Sequence, residues 1–238
     1  MNIVKRFLTR NDCYKANKKM KPTHIVVHDV GCDNKTIDRF WNSWNNPNVY
    51  KCVHAFIGVD SKGDVAIHQT LPFDIKPWGC GSGSKGSYND CAIQFEICRV
   101  IKDTEHTKKA YSLAVEFCAY LCKEYNIPIK NIVGHYEAHA LGYGSNHADP
   151  RELFNSIDKS MDIFRANVDT LLNKPSTFKV KILCDSLNVR KGVGILHKKV
   201  TTVKKNEVFT IIETDGNWGK LKSGAGWINI SSKYVTKL

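Results

Sequence analysis

Three histidines, an aspartate and a glutamate in this sequence stand where side chains could do chemistry. His28 closes the run HIVVH, and His135 closes IVGH after a glycine. Both runs are apolar up to the imidazole, so each ring falls where the chain leaves a core. Further on, Asn146-His147-Ala148-Asp149-Pro150 sets a His and an Asp two residues apart at an expected helix start. Catalytic zinc sites take three protein ligands from His, Asp, Glu or Cys and keep a fourth position for water. His28 and His135, with either His147 or Asp149, are therefore the candidates for holding Zn²⁺. Each has a plainer reading too: a strand-end histidine serves as a hydrogen-bonded structural residue, and an Asp before Pro serves as a helix N-cap. Glu96 lies inside the apolar strand-like QFEIC. A carboxylate there is costly unless paired or set beside a metal, so it reads either as an acid or base with a raised pKa or as half of a buried ion pair. The stretch His135-Tyr136-Glu137-Ala138-His139 spaces two histidines by four, but its Glu is one place late for a metalloprotease helix. Glu137 and His139 read as loop residues that support the site.

The elements that must position these residues alternate between strand and helix. THIVVHDV reads as a strand and TIDRFWNSWNN as a helix. HAFIGVDSKGDVAIHQ reads as a hairpin turning at Asp60-Ser61-Lys62-Gly63. CAIQFEICRV is an apolar strand, and HTKKAYSLAVEFCAYLCKEYN is a long amphipathic helix with Tyr111, Leu113, Ala114, Phe117, Leu121 and Tyr125 facing inward. KNIVGHYE is a last strand, and Asp149-Pro150 opens a closing helix over ELFNSIDKSMDIFRANVDTLL as cap and first-turn proline. This order predicts an α/β domain with a central mixed sheet over residues 1–172. Asn173-Lys174-Pro175-Ser176-Thr177 reads as a linker. Short strand patterns separated by Gly, Asn and Asp turns then predict a small all-β barrel over residues 178–238. In a barrel this small, Trp218 and Trp227 are expected to pack in the core.

Composition narrows the field. At 42% hydrophobic and 24% charged the chain is ordinary for a globular protein, and no apolar run nears the roughly 18 residues a membrane helix needs. The net charge of +12 is unevenly spread, with +8 of it in residues 178–238. A charge so concentrated fits a polyanionic partner. No recognition helix or base-stacking motif accompanies it, which argues against nucleic acid. The nine cysteines include no CxxC pair; Cys118 and Cys122, four apart on the long helix, read as small core residues.

With these motifs in hand, HIVVHDVG, HAFIGVDSKGDVAIHQ, AIQFEIC and IVGHYEAHALGYGSNHADP together resemble the zinc N-acetylmuramoyl-L-alanine amidases of type 2, related in fold to peptidoglycan recognition proteins. DSLNVRKGVG, VTTVKKNEVFTI and NWGKLKSGAGWI resemble a bacterial SH3-like wall-binding domain. The resemblance implies zinc held by His28, His135 and Asp149, Glu96 as base, and His147 stabilising the reacting carbonyl. It implies an endolysin or autolysin that cleaves the amide between N-acetylmuramic acid and L-alanine. Its partners would be peptidoglycan and its anionic wall polymers, with neither nucleic acid nor membrane insertion. Without a signal-peptide pattern at its start, such a protein would be made in the cytoplasm and reach the wall after holin- or lysis-dependent release. A zinc peptidase of the stem peptide and a non-catalytic peptidoglycan-binding protein are the competing readings. The chain departs from the family pattern in two places: Trp78-Gly79-Cys80 replaces a frequent Trp-His, and Val53 stands where some members carry a catalytic Tyr.

Overall fold

The computed structural model describes residues 1–33, 36–100, 103–173 and 177–238. Two compact units divide these residues, Met1–Leu172 and Asn173–Leu238. Of the expected linker, residues 174–176 lie outside the described residues.

The first unit runs β1 (Ile3–Lys5), α1 (Asp12–Ala16), β2 (His24–Asp29), α2 (Ile37–Trp44), β3 (Ala55–Val59), β4 (Val65–Gln69), β5 (Ala92–Ile97), α3 (Thr104–Tyr125), β6 (Ile132–Gly134), α4 (His135–Leu141), α5 (Arg151–Asn155) and α6 (Met161–Asn173). Its strands form one mixed sheet in the order β1-β4-β3-β5-β2-β6. The β3–β4 hairpin is antiparallel and the remaining pairings are parallel.

The sheet's two faces are used differently, because side chains alternate along a strand. In β2 and β5 the odd positions Ile25, Val27, Ile93, Phe95 and Ile97 join a core with Ala114, Phe117 and Leu121 of α3 and Phe164 of α6. Phe95 and Phe117 meet edge to face at 5.5 Å, and burying a ring of this size contributes about 2–3 kcal/mol. Three even positions, His28, Gln94 and Glu96, carry polar side chains. Parallel register sets Val26 beside Gln94 and His28 beside Glu96, so His28, Gln94 and Glu96 share the opposite face. Cys118 and Cys122 are buried in the α3 interface, as expected of small core residues.

Three local expectations are corrected. The closing helix is two helices, α5 and α6, separated by a break in which Asp158 takes a left-handed backbone (φ 55). Ser160 begins α6 by accepting from the Ile163 amide at 3.2 Å, so a hydroxyl cap restarts the helix. Glu137 and His139 lie on α4, not on a loop. The Gly134 amide donates to Glu137 Oε2 at 2.9 Å, and Arg165 clamps the same carboxylate at 2.8 and 3.0 Å. That anchored cap makes a helix start of the segment. Finally, Asp149 does not cap α5: Pro150 holds the cap position with no side-chain cap bond.

The second unit contains β7 (Phe178–Ile182), β8 (Ser186–Arg190), β9 (Lys199–Lys204), β10 (Val208–Asp215), β11 (Trp218–Leu221), β12 (Trp227–Asn229) and β13 (Val235–Lys237). They form an antiparallel sheet in the order β13-β7-β10-β11-β12-β8-β9. Val180, Ile182, Val189, Ile211, Leu221 and Ile228 are among its core residues. Trp218 and Trp227 are half-buried and stand outside that core, contrary to expectation. Strand alternation gives the inward positions to Leu221 and Ile228, and Lys220 Nζ lies over the Trp227 ring at 5.8 Å.

Candidate active site

His28, His135 and Asp149 converge although 121 residues separate the first from the last. Each arrives by a different device. β2 carries His28 on the polar face of the sheet. His135 is the first residue of α4, and its neighbour Gly134 allows a close approach: a Cβ there would sit 2.9 Å from Pro150 Cδ. The Asp149–Pro150 peptide is cis, and the Tyr136 amide donates to the Asp149 carbonyl at 3.2 Å. The Asp149 carboxylate faces both rings.

Asp149 Oδ2 is 2.9 Å from His28 Nδ1, and its Oδ1 is 3.2 Å from His135 Nδ1. One ligand atom from each residue lies within 4.8 Å of the others. Ligand atoms around a tetrahedral zinc with bonds of ~2.0–2.1 Å stand about 3.3 Å apart, so the triad fits a divalent cation in donor type and in spacing. Two imidazoles and one carboxylate also leave the cation with net positive charge. Burial alone would raise the Asp149 carboxyl. Hydrogen bonds from His135 and His28, with their charge, hold it well below the ordinary carboxylate range instead.

The far nitrogens of both rings are also held, as is usual for metal-binding histidines. His28 Nε2 meets Gln94 Oε1 at 3.2 Å, and His135 Nε2 meets Ser145 Oγ at 3.2 Å. Behind Gln94, its backbone amide donates to His54 Nδ1 at 3.0 Å while His54 Nε2 donates to the Ile75 carbonyl at 2.9 Å. Complete burial pushes the His54 pKa down to about 4, so its ring is neutral in this tautomer.

Glu96 stands beside His28 in the ladder, buried, with its Oε2 accepting no hydrogen bond. Burial, then the nearby Asp149 and Asp29 carboxylates, push its pKa well above the ordinary range, with Lys51 opposing. The ion-pair reading of this residue is thus not realised. Asp29 is occupied by Arg99 at 3.3 Å, and the same guanidinium reaches Glu152 at 2.8 Å.

His147 is exposed and is not part of the triad. Its ring stacks on His135 at 4.5 Å, and its Nδ1 lies 3.1 Å from Ser145 Oγ. Together these residues line a cleft of about 560 Å³, with Trp78 and Lys51 on its walls. Val53 is fully buried, so that position brings no side chain to the cleft. Sequence reasoning missed Gln94 and Ser145. For Gln94 the signal was available: it lies two residues before Glu96 on one strand, hence on the same face.

Comparison with known proteins places both units in families. Residues 18–152 match the N-acetylmuramoyl-L-alanine amidase family model, and residues 185–236 match the bacterial SH3 domain model. The amidase CwlH of Bacillus subtilis (strain 168) is 31% identical over 140 residues, 57% of this chain and 52% of CwlH. The amidase CwlA of a Bacillus species is 33% identical over 119 residues, 50% of this chain and 45% of CwlA. The chain spans about half the length of the curated relatives it matches. In fold, the first unit resembles the catalytic domain of XlyA, with a TM-score of 0.57 and 24% identity over 71% of this chain and 99% of that one.

Proposed function

The chain belongs to the N-acetylmuramoyl-L-alanine amidase family, and from that premise we propose that it hydrolyses the amide joining N-acetylmuramic acid to L-alanine in Gram-positive peptidoglycan. The observation that carries this reading is the convergence of two imidazole Nδ1 atoms and one carboxylate beside a buried, unpartnered glutamate. His28, His135 and Asp149 would hold Zn²⁺. A cation there supplies a Lewis acid that acidifies water and polarises an amide carbonyl.

The remaining work falls to the chain's own side chains. Glu96 accepts the proton of the attacking water and returns it to the leaving amine. Its raised pKa suits the second transfer, and a cation beside Asp149 offsets one of the two carboxylate charges that raise it, which favours the first. His147, on the lip of the cleft, donates to the oxyanion as the carbonyl becomes tetrahedral. The second unit, whose residues 178–238 carry +8 of the chain's charge, holds the enzyme on the wall through its anionic polymers, raising its local concentration on an insoluble substrate. The site of action is the cell wall, reached after lysis-dependent release.

Metal removal tests the central step. Dialysis against a chelator is expected to stop solubilisation of purified walls, and one equivalent of zinc to restore it. The His28→Ala variant is expected to stay inactive at that zinc level. Full activity of the chelator-treated, metal-free protein would rule out the metal reading.

A further inference from the structure

We propose that Gln94 is a positioning residue that fixes which nitrogen of His28 is free to bind metal, and that Gly79 is glycine because the Gln94 carboxamide needs its space. The proposal rests on the metal reading above and adds to it how the ligand is prepared.

The argument starts from a loop on the cleft wall. Asn89 Oδ1 accepts from the backbone amides of Gly79 at 3.1 Å and Cys80 at 3.0 Å, while Asn89 Nδ2 donates to the Gly81 carbonyl at 2.9 Å. Backbone groups have fixed roles as donor or acceptor, so the Asn89 amide has only one workable orientation. Its Oδ1 faces Gln94 at 2.9 Å, and that contact requires the nitrogen of Gln94. The other end of Gln94 is therefore Oε1, which can only accept. It faces His28 Nε2 at 3.2 Å, so Nε2 carries the ring proton. With Nε2 protonated in this way, the proton that Nδ1 donates to Asp149 is the one a cation would displace, which leaves the lone pair at the shared ligand position. Three backbone groups of residues 79–81 thus select the tautomer of a ligand through two side-chain amides.

Gly79 completes the device. A Cβ at this position would lie 2.5 Å from Gln94 Oε1 and 2.8 Å from Val53 Cγ1. Both contacts are far inside van der Waals distance, and Gln94, fully buried, has little room to retreat. The Trp78-Gly79 departure from the Trp-His pattern accordingly has a physical reason in this chain: the space beside residue 79 is filled from β5.

The test uses the full chain. Zinc affinity is measured by competition with a chromophoric chelator, and the cobalt(II) absorption spectrum reports ligand geometry. Gln94→Met keeps the volume and removes the acceptor. Its zinc Kd is expected to rise about 10–100-fold, as for other supports of metal-binding histidines, and its cobalt spectrum to change. Gln94→Asn, a methylene too short to span from Asn89 to His28, is expected to do the same and serves if the methionine variant does not fold. Gly79→Ala should weaken zinc binding in the wild-type background and cost much less beside Gln94→Ala, because the atom it strikes most closely is gone. Wild-type affinity and spectrum in folded Gln94→Met or Gln94→Asn overturn the proposal alone. A wild-type chain that takes up neither metal overturns the metal reading and this proposal with it.

Discussion

The two units handle polar groups in opposite ways. The first buries His28, Asp29, His54, Gln94, Glu96, Arg99 and His135 in or beside its sheet. The second, among the described residues, buries only apolar side chains and a glycine, and keeps its lysines outside. Taking a polar group out of water costs several kcal/mol unless it is bonded within the protein. The larger unit meets that cost with a connected network: Asn89 to Gln94 to His28 to Asp149 to His135 to Ser145. The smaller unit has a core too slight for such a network, and its proposed role rests on surface charge. A preorganised site and an adhesive surface thus make different demands on a core.

Glu96 gives the sharpest way to break this contrast. It is the buried carboxylate whose Oε2 the network leaves unbonded, a cost to stability that the proposed mechanism accounts for. Glu96→Ala is expected to lower turnover by at least the ~10²–10⁴-fold attributed to a general base. It should leave zinc bound and the metal-free fold no less stable. Wall hydrolysis at a normal rate would remove Glu96 from the mechanism.

His54 sharpens the same contrast through pH. Folded His54 takes up a proton only near pH 4, against 6.5 for an unperturbed histidine. Between these values the unfolded chain binds more protons, so stability falls as pH drops through this window. The loss is about 3 kcal/mol by pH 4. Urea unfolding at pH 7 and pH 4.5 should therefore show a smaller pH dependence in His54→Gln than in the wild type. An equal slope would mean that His54 titrates normally.

The smallest effect concerns the second unit. Removal of residues 177–238 should weaken pelleting with purified walls about tenfold and remove most of its salt sensitivity, with turnover of a soluble muramoyl-peptide unchanged. Undiminished wall binding would take the anchoring role away from this unit.

Much of the site was legible in the chain because strand periodicity reports faces. His28 closing an apolar run and Glu96 inside another were each legible from a single strand, and parallel register put them side by side. Gln94 obeyed the same period but, as a single amide in a strand, carried no charge to draw notice. Asp149 was harder, since Asp-Pro fits an N-cap pattern and its partner His28 lies 121 residues away in the chain. The break between α5 and α6 followed from the left-handed Asp158 and the Ser160 cap. Strand β1, three residues long, is too short for any period to register.

The most direct test of the proposed activity is the bond cut. Purified Gram-positive walls digested with the zinc-loaded protein should yield, by mass spectrometry, stem peptides with a free L-alanine amino terminus and glycan that retains the lactyl carboxylate. Fragments cut within the stem peptide, or walls bound but left intact, would contradict an amidase that works through His28, His135, Asp149 and Glu96.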